Sequence, residues 1–251
     1  MRLLDQVVIV TGGGSGIGRA YAERLVLEGA KVVVADRDGP AVEEFARVVN
    51  ESTEDERAMA VTADVTDESE VQNLVSCARE RFGRIDGLVN NVGLYPHTAF
   101  EDVSPDEWDR IMRVNIRSTF LCSQAAVPAM REAGRGKIVN IATNLIWIGL
   151  PGMVPYVTAK AAILGFTRSL AKEIGPHGIT VNAIAPGAVI GEPDALEGQS
   201  ADTLHRIVGF QAIRRPQSQR DLLGTLVFLL SEDSDFMTGQ VLTVDGGLTV
   251  H

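Results

Sequence analysis

Val7-Val8-Ile9-Val10-Thr11-Gly12-Gly13-Gly14-Ser15-Gly16-Ile17-Gly18 passes from a β-branched apolar run through a glycine turn into the start of a helix. The run 7–10 has no polar alternation, as expected of a strand buried on both faces. From 17 to 27 the apolar spacing is helical, and Gly29 follows as a C-terminal stop. Gly12, Gly16 and Gly18 form a G-x3-G-x-G turn, related to but spaced differently from the usual G-x-G-x-x-G fingerprint. The physics is the same. Glycines allow the tight strand-to-helix reversal and let the backbone approach a pyrophosphate, whose charge is favoured by a helix N-terminus. A tight turn without a ligand would use the same glycines, so the neighbours must decide.

Outward from this stretch, strands are expected at 31–35, 58–63, 86–90, 137–141, 179–184 and 241–244. Between them lie helical patterns at 41–49, 68–82, 155–174, 202–210 and 219–230. A long helix opens at Ser104, an N-cap followed by Pro105 and two acids, and runs towards Arg131. Between Thr143 and Tyr156 the chain reads as an apolar loop containing Trp147, and Glu54-Asp55-Glu56 as a solvated one. Strands separated by helices imply right-handed βαβ crossovers and a doubly wound α/β parallel sheet in a single domain, 1–251, with a substrate loop and helix region near 187–213. Ligands bind such sheets beyond the carboxyl ends of the strands. That rim collects 11–18, Asp36, Asp64, Asn90 to Gly93, Thr143 and Pro186.

Composition narrows the function classes. The 251 residues are 45% hydrophobic and 22% charged, enough for one large core. A net charge of -10 makes nucleic acid an unfavourable partner. Cys77 and Cys122 stand far apart, without a nearby histidine cluster, so neither a disulfide framework nor a metal site is expected. No apolar run approaches the roughly 20 residues of a membrane span. The expected compartment is the cytoplasm.

Asp36 ends the second strand, 18 residues after Gly18, near the spacing of about 20 at which an acid accepts hydrogen bonds from the adenosine ribose. A carboxylate there repels a 2′-phosphate and favours NAD over NADP; the neighbouring Arg37 guanidinium could clamp that phosphate instead. Tyr156 and Lys160 are four apart, so on a helix they share a face. An ammonium beside a phenol favours the phenolate, and lowering a tyrosine pKa by roughly 3 units asks for about 4 kcal/mol. Such a tyrosine exchanges a proton with an alcohol or carbonyl. The same spacing also fits a half-buried aromatic beside a solvated lysine.

Taken together, Thr11-Gly12-x3-Gly16-x-Gly18, Asp64-Val65, Asn90-Asn91-Val92-Gly93, Asn115, Tyr156-x3-Lys160, Pro186-Gly187 and Asp245-Gly246-Gly247 resemble the ordered motifs of the short-chain dehydrogenase/reductase family. The resemblance implies a Rossmann-type domain, a nicotinamide cofactor and reversible hydride transfer at a carbinol carbon. It also implies a homotetramer or homodimer built through the helices at 106–131 and 155–174. By this resemblance Tyr156 is the general acid/base. Lys160 binds the nicotinamide ribose and depresses the tyrosine pKa, and Asn115 bends its helix and holds a relay water. Gly12, Ser15, Gly16, Ile17, Gly18, Asp36, Arg37, Asp64, Val65, Asn91, Gly93, Pro186, Gly187 and Val189 line the cofactor, with Asn90 at its adenosine end.

Two positions depart from the pattern. Thr143 stands where the family usually has serine; it keeps the hydroxyl but adds a methyl and restricts χ1. Gly191 stands where a cofactor-contacting threonine is often found. Tyr95, Ile146, Trp147, Met153 and Phe210, with Leu94 and Leu145, are the candidate substrate pocket. They imply a hydrophobic secondary alcohol or ketone, aryl ones among them, as a small-molecule substrate. Three functions remain open: an NAD-dependent alcohol dehydrogenase, an NADPH-dependent 3-oxoacyl carrier-protein reductase, and a non-catalytic nucleotide-binding regulator.

Overall fold

The apolar runs pair as one parallel sheet. In the computed structural model, which describes residues 1–190 and 201–250, seven strands lie in the order β3-β2-β1-β4-β5-β6-β9. They are β1 (Val7–Thr11), β2 (Lys31–Asp36), β3 (Ala58–Thr62), β4 (Gly87–Asn90), β5 (Gly136–Ile141), β6 (Ile179–Pro186) and β9 (Val241–Val244). Two-residue strands β7 (Val189–Ile190) and β8 (Gln217–Ser218) pair separately. The chain moves from β1 to β2 and β3 on one side, then returns to β4 on the other. The switch point therefore falls between β1 and β4, where a doubly wound sheet opens its crevice.

Period-two alternation supplies a core to each face. Val8 and Val10 pack with Leu25 of α1 (Gly16–Leu27), Phe45 of α2 (Gly39–Glu51) and Leu226 of α9 (Arg220–Leu230). Val7 and Ile9 pack with Leu74 of α3 (Glu68–Phe82), Leu121 of α5 (Ser118–Ala133) and Ile174 of α7 (Val154–Ile174). Ser104 caps α4 (Pro105–Met112) by accepting from Glu107 N at 3.1 Å. Among the described residues, no helix is long and apolar enough to cross a membrane.

Three local expectations are revised. The long helix is interrupted by a π-helical turn, Arg113–Arg117, between α4 and α5. The segment around Trp147 is a short helix, α6 (Leu145–Ile148), instead of a loop. Strand β6 runs two residues beyond Ile184, because Ala185 and Pro186 continue the pairing with Thr243 and Val244. The remaining helix, α8 (Ala201–Phe210), precedes β8.

Candidate active site

The glycine turn is stitched across the switch point. Thr11 donates its hydroxyl to Val89 O at 3.2 Å and accepts from Asn91 N at 3.1 Å. The Asn91 amide donates to the carbonyls of Thr11 and Gly12 at 3.2 and 3.3 Å. Gly12 and Gly16 have φ of +65° and +55°, left-handed values that favour glycine. A Cβ on Gly18 would lie 1.9 Å from Gly12 O, so no larger residue fits. Ser15, extended and exposed, does not cap α1 with its side chain, which leaves the leading N–H groups of that helix, from Ile17 and Gly18 on, available to an anion.

Asp36 stands beside this turn. Its carboxylate accepts from Gly14 N and Asp38 N, each at 3.1 Å, which fixes it at the carboxyl end of β2. Arg37 is exposed next to it. The turn and Asp36 together suit the pyrophosphate and a ribose of a dinucleotide. Asp64 is half-buried at the rim and accepts from Thr66 N at 2.9 Å, whereas the Val65 side chain lies in the core. Asn90 is displaced from its expected role. Its amide donates to Asn140 Oδ1 at 2.8 Å and Ser123 Oγ at 3.1 Å, below the rim, because the period-two register turns it into the helix layer.

The π turn has a local cause. Asn115 is wholly buried, and its amide donates to Ile111 O at 3.0 Å, occupying a carbonyl of the helical ladder. The same side chain clasps Leu94, donating to its O at 2.8 Å and accepting from its N at 3.1 Å. Gly93 sits between Asn115 and Lys160: a Cβ there would lie 3.3 Å from Asn115 Oδ1 and 3.4 Å from Lys160 Nζ.

On α7, Lys160 is only 2% exposed. Its Nζ donates to Ile141 O at 2.7 Å and lies 6.0 Å from the centre of the Tyr156 ring. Burial lowers its pKa to about 8. The nearby Thr143 hydroxyl lowers the Tyr156 pKa, but burial, the larger cause, outweighs this and raises it to about 12. Desolvation thus acts against the depression expected from the ammonium. Thr143 is buried just after β5 and accepts from Leu145 N at 3.3 Å, so its hydroxyl is turned to Tyr156 by the start of α6.

The pocket residues divide. Tyr95 meets Tyr156 edge-on, with ring centres 5.9 Å apart at 63°, and so forms a wall beside the phenol. Leu145, Ile146 and Trp147 are half-buried on α6, where Trp147 Nε1 donates to Thr243 Oγ1 at 3.4 Å. Met153 is buried at the N-terminus of α7. Phe210 is 77% exposed at the end of α8 and does not belong to an enclosed wall. The Val189 side chain is buried in the core, where it packs instead of lining an open site. Pro186 and Gly187 close β6 at the rim, with Gly187 N donating to Val244 O at 3.1 Å. Gly191 lies outside the described residues.

Sequence reading missed Asn144, which is buried beside Thr143, and any function for Asp245 beyond membership in a motif. Their Nδ2–Oδ2 hydrogen bond of 3.1 Å joins positions 101 residues apart; the only signal was an amide directly after the hydroxyl.

The family model described as enoyl-(acyl carrier protein) reductase matches residues 12–249. The (2S)-[(R)-hydroxy(phenyl)methyl]succinyl-CoA dehydrogenase subunit BbsD of Thauera aromatica is 40% identical over 249 residues, 98% of each chain. The 3-oxoacyl-[acyl-carrier-protein] reductase of Synechocystis sp. is 34% identical over 251 residues, 99% of this chain and 98% of that one. Levodione reductase of Leifsonia aquatica is 35% identical over 255 residues, 98% of this chain and 95% of that protein. A crystal structure of levodione reductase superposes with a TM-score of 0.91 at 35% identity, covering 98% of each chain. Agreement of this extent in sequence and in fold shows that the chain belongs to the short-chain dehydrogenase/reductase family of nicotinamide-dependent oxidoreductases.

Proposed function

We propose that this oxidoreductase interconverts a small hydrophobic, aryl-bearing secondary alcohol and its ketone, with NAD as the preferred cofactor. The observation that carries the reading is the edge-on Tyr95 ring beside Tyr156, with the Thr143 hydroxyl turned towards the same phenol, on the rim of the glycine turn and Asp36. The nicotinamide, when bound, supplies or accepts the hydride. Gly12, Ser15, Gly16, Ile17 and Gly18 would hold its pyrophosphate, Asp36 the adenosine ribose, Asp64 and Asn91 the adenine side, and Lys160 the second ribose.

Around it the chain's own groups manage the proton. The Thr143 hydroxyl holds the substrate oxygen, and Tyr156 exchanges the proton with it. A phenol raised to about 12 stays protonated at neutral pH, the state that ketone reduction requires. As a base at neutral pH it requires roughly 7 kcal/mol of help from positive charge. Lys160, mostly protonated at neutral pH, is the cation within reach. Asn115 keeps Leu94 and the loop before Tyr95 in place, and the apolar walls exclude water.

The substrate class is supported by Tyr95, Ile146, Trp147 and Met153, and by the phenyl-bearing substrate in the name of the Thauera relative. An assembly through α4, α5 and α7 as a homotetramer is part of this reading, supported by the exposed Phe120 of α5. We place the protein in the cytoplasm, a setting suited to its unpaired Cys77 and Cys122.

A second reading, reduction of a 3-oxoacyl carrier-protein thioester with NADPH, is favoured by exposed Arg37 and by the Synechocystis relative. Aryl and alkyl ketones, their alcohols and a 3-oxoacyl thioester, each assayed with NADH and NADPH by absorbance of the reduced nicotinamide, separate the two. Turnover of ketones with NADH preferred is expected. Strong NADPH preference together with turnover of the thioester alone would select the second reading.

A further inference from the structure

Asp245 opens the Asp-Gly-Gly motif whose purpose the proton-transfer site leaves unexplained. It is 3% exposed, yet its carboxylate accepts five hydrogen bonds. On one side Oδ1 takes Gly247 N at 3.0 Å and Leu248 N at 3.2 Å. On the other, Oδ2 takes the Thr249 N and Oγ1 at 2.9 and 2.7 Å and the Asn144 amide at 3.1 Å. Among the described residues no lysine or arginine pairs with it, so the donors are all neutral.

Asn144 is the residue through which this carboxylate reaches the chemistry. It is 2% exposed and directly follows Thr143. Its N donates to Pro186 O at 2.9 Å and its O accepts from Trp147 N at 3.0 Å. One residue is thus held at three points: by the end of β6, by the first turn of α6, and by the carboxylate just past β9. The Thr143 backbone has no freedom to rotate unless one of these contacts breaks. A threonine needs that constraint more than a serine would, since its branched Cβ admits fewer χ1 settings once the backbone is fixed.

We propose that Asp245 is a positioning residue for Thr143: through Asn144 it sets the turn that aims the Thr143 hydroxyl at Tyr156, and it joins the C-terminal segment 247–249 to the same turn. The proposal rests on Thr143 being the hydroxyl partner of Tyr156. It makes the activity depend on a contact that touches neither substrate nor cofactor. The contacts of the segment 247–249 with the carboxylate are separate from the Asn144 contact.

The test compares Asp245→Asn, Asn144→Ala, Thr249→Val and Thr143→Ala in the full chain. It reads kcat, KM, the pH profile of kcat, NADH affinity by fluorescence titration and Tm. Asp245→Asn and Asn144→Ala should each lower kcat about tenfold, with NADH affinity within about twofold of wild type. Their pH limb should move upwards in the direction of Thr143→Ala, since the hydroxyl that lowers the Tyr156 pKa is no longer aimed at it. Thr249→Val, which removes only a tail contact, should lower Tm and leave kcat unchanged. The double variant Asp245→Asn with Asn144→Asp, which exchanges amide and carboxylate, should recover part of the lost kcat. A fall in Tm with kcat and pH profile unchanged in both Asp245→Asn and Asn144→Ala would make Asp245 merely structural and overturn the proposal. Should Asp245→Asn not fold, Asn144→Ala alone decides. Full activity in Thr143→Ala would overturn the underlying reading first, and this one with it.

Discussion

Replacing Lys160 with methionine is expected to stabilise the protein while removing its activity. The ammonium is 2% exposed, and burial lowers its pKa from 10.5 to about 8. Between those values the unfolded chain is protonated and the folded one is not. Stability is therefore lost as pH falls from about 10.5 to 8, and the whole cost is present below 8. At pH 7 that cost is about 3 kcal/mol. Methionine removes it but forfeits the 2.7 Å hydrogen bond to Ile141 O, an offset of about 1 to 2 kcal/mol. The net gain is about 1 to 2 kcal/mol, or a rise in Tm of a few degrees for a chain of this size. At pH 10 only about 1 kcal/mol of the cost remains, so the advantage should vanish. Calorimetric melts of Lys160→Met and wild type at pH 7 and pH 10 make the comparison. A variant that melts lower at pH 7, or a gain independent of pH, would refute the account of Lys160 as a charge held in a desolvated site for function.

Other substitutions probe the same rim. Thr143→Ser should keep kcat within a few-fold and change substrate preference, whereas Thr143→Ala should lose about 100-fold in kcat; full activity of the alanine variant would mean the hydroxyl is dispensable. Gly18→Ala places a Cβ 1.9 Å from Gly12 O and 2.6 Å from Asn91 Nδ2, so NADH affinity should fall more than tenfold by fluorescence titration, and wild-type binding would contradict the cradle. Asp36→Ala should weaken NAD binding about tenfold by calorimetry while NADP weakens less; unchanged NAD affinity would remove the ribose contact.

The sheet was readable because its strands are buried on both faces. Continuous runs such as Val7 to Val10, alternating with helices stopped at Gly29 or Gly83, leave little ambiguity of type. What escaped reading depends on single side chains meeting across the fold. The π turn at Asn115 leaves the apolar spacing of its helix intact, since it arises from one amide bonding Ile111 O. Asn90 carried a rim motif's identity, yet its side chain bonds Asn140 and Ser123 below the rim. The pKa order of Tyr156 and Lys160 could not be anticipated either, because spacing reports proximity and not desolvation. Asp245 and Asn144, 101 residues apart, meet only because β5, β6 and β9 end side by side.

The central claim is that the Tyr156 hydroxyl carries the proton. Tyr156→Phe, measured with the best ketone of the panel and saturating NADH, tests it most directly. NADH affinity and Tm should be kept, while kcat falls at least about 1000-fold. A phenylalanine variant that turns over within a few-fold of wild type would contradict the account.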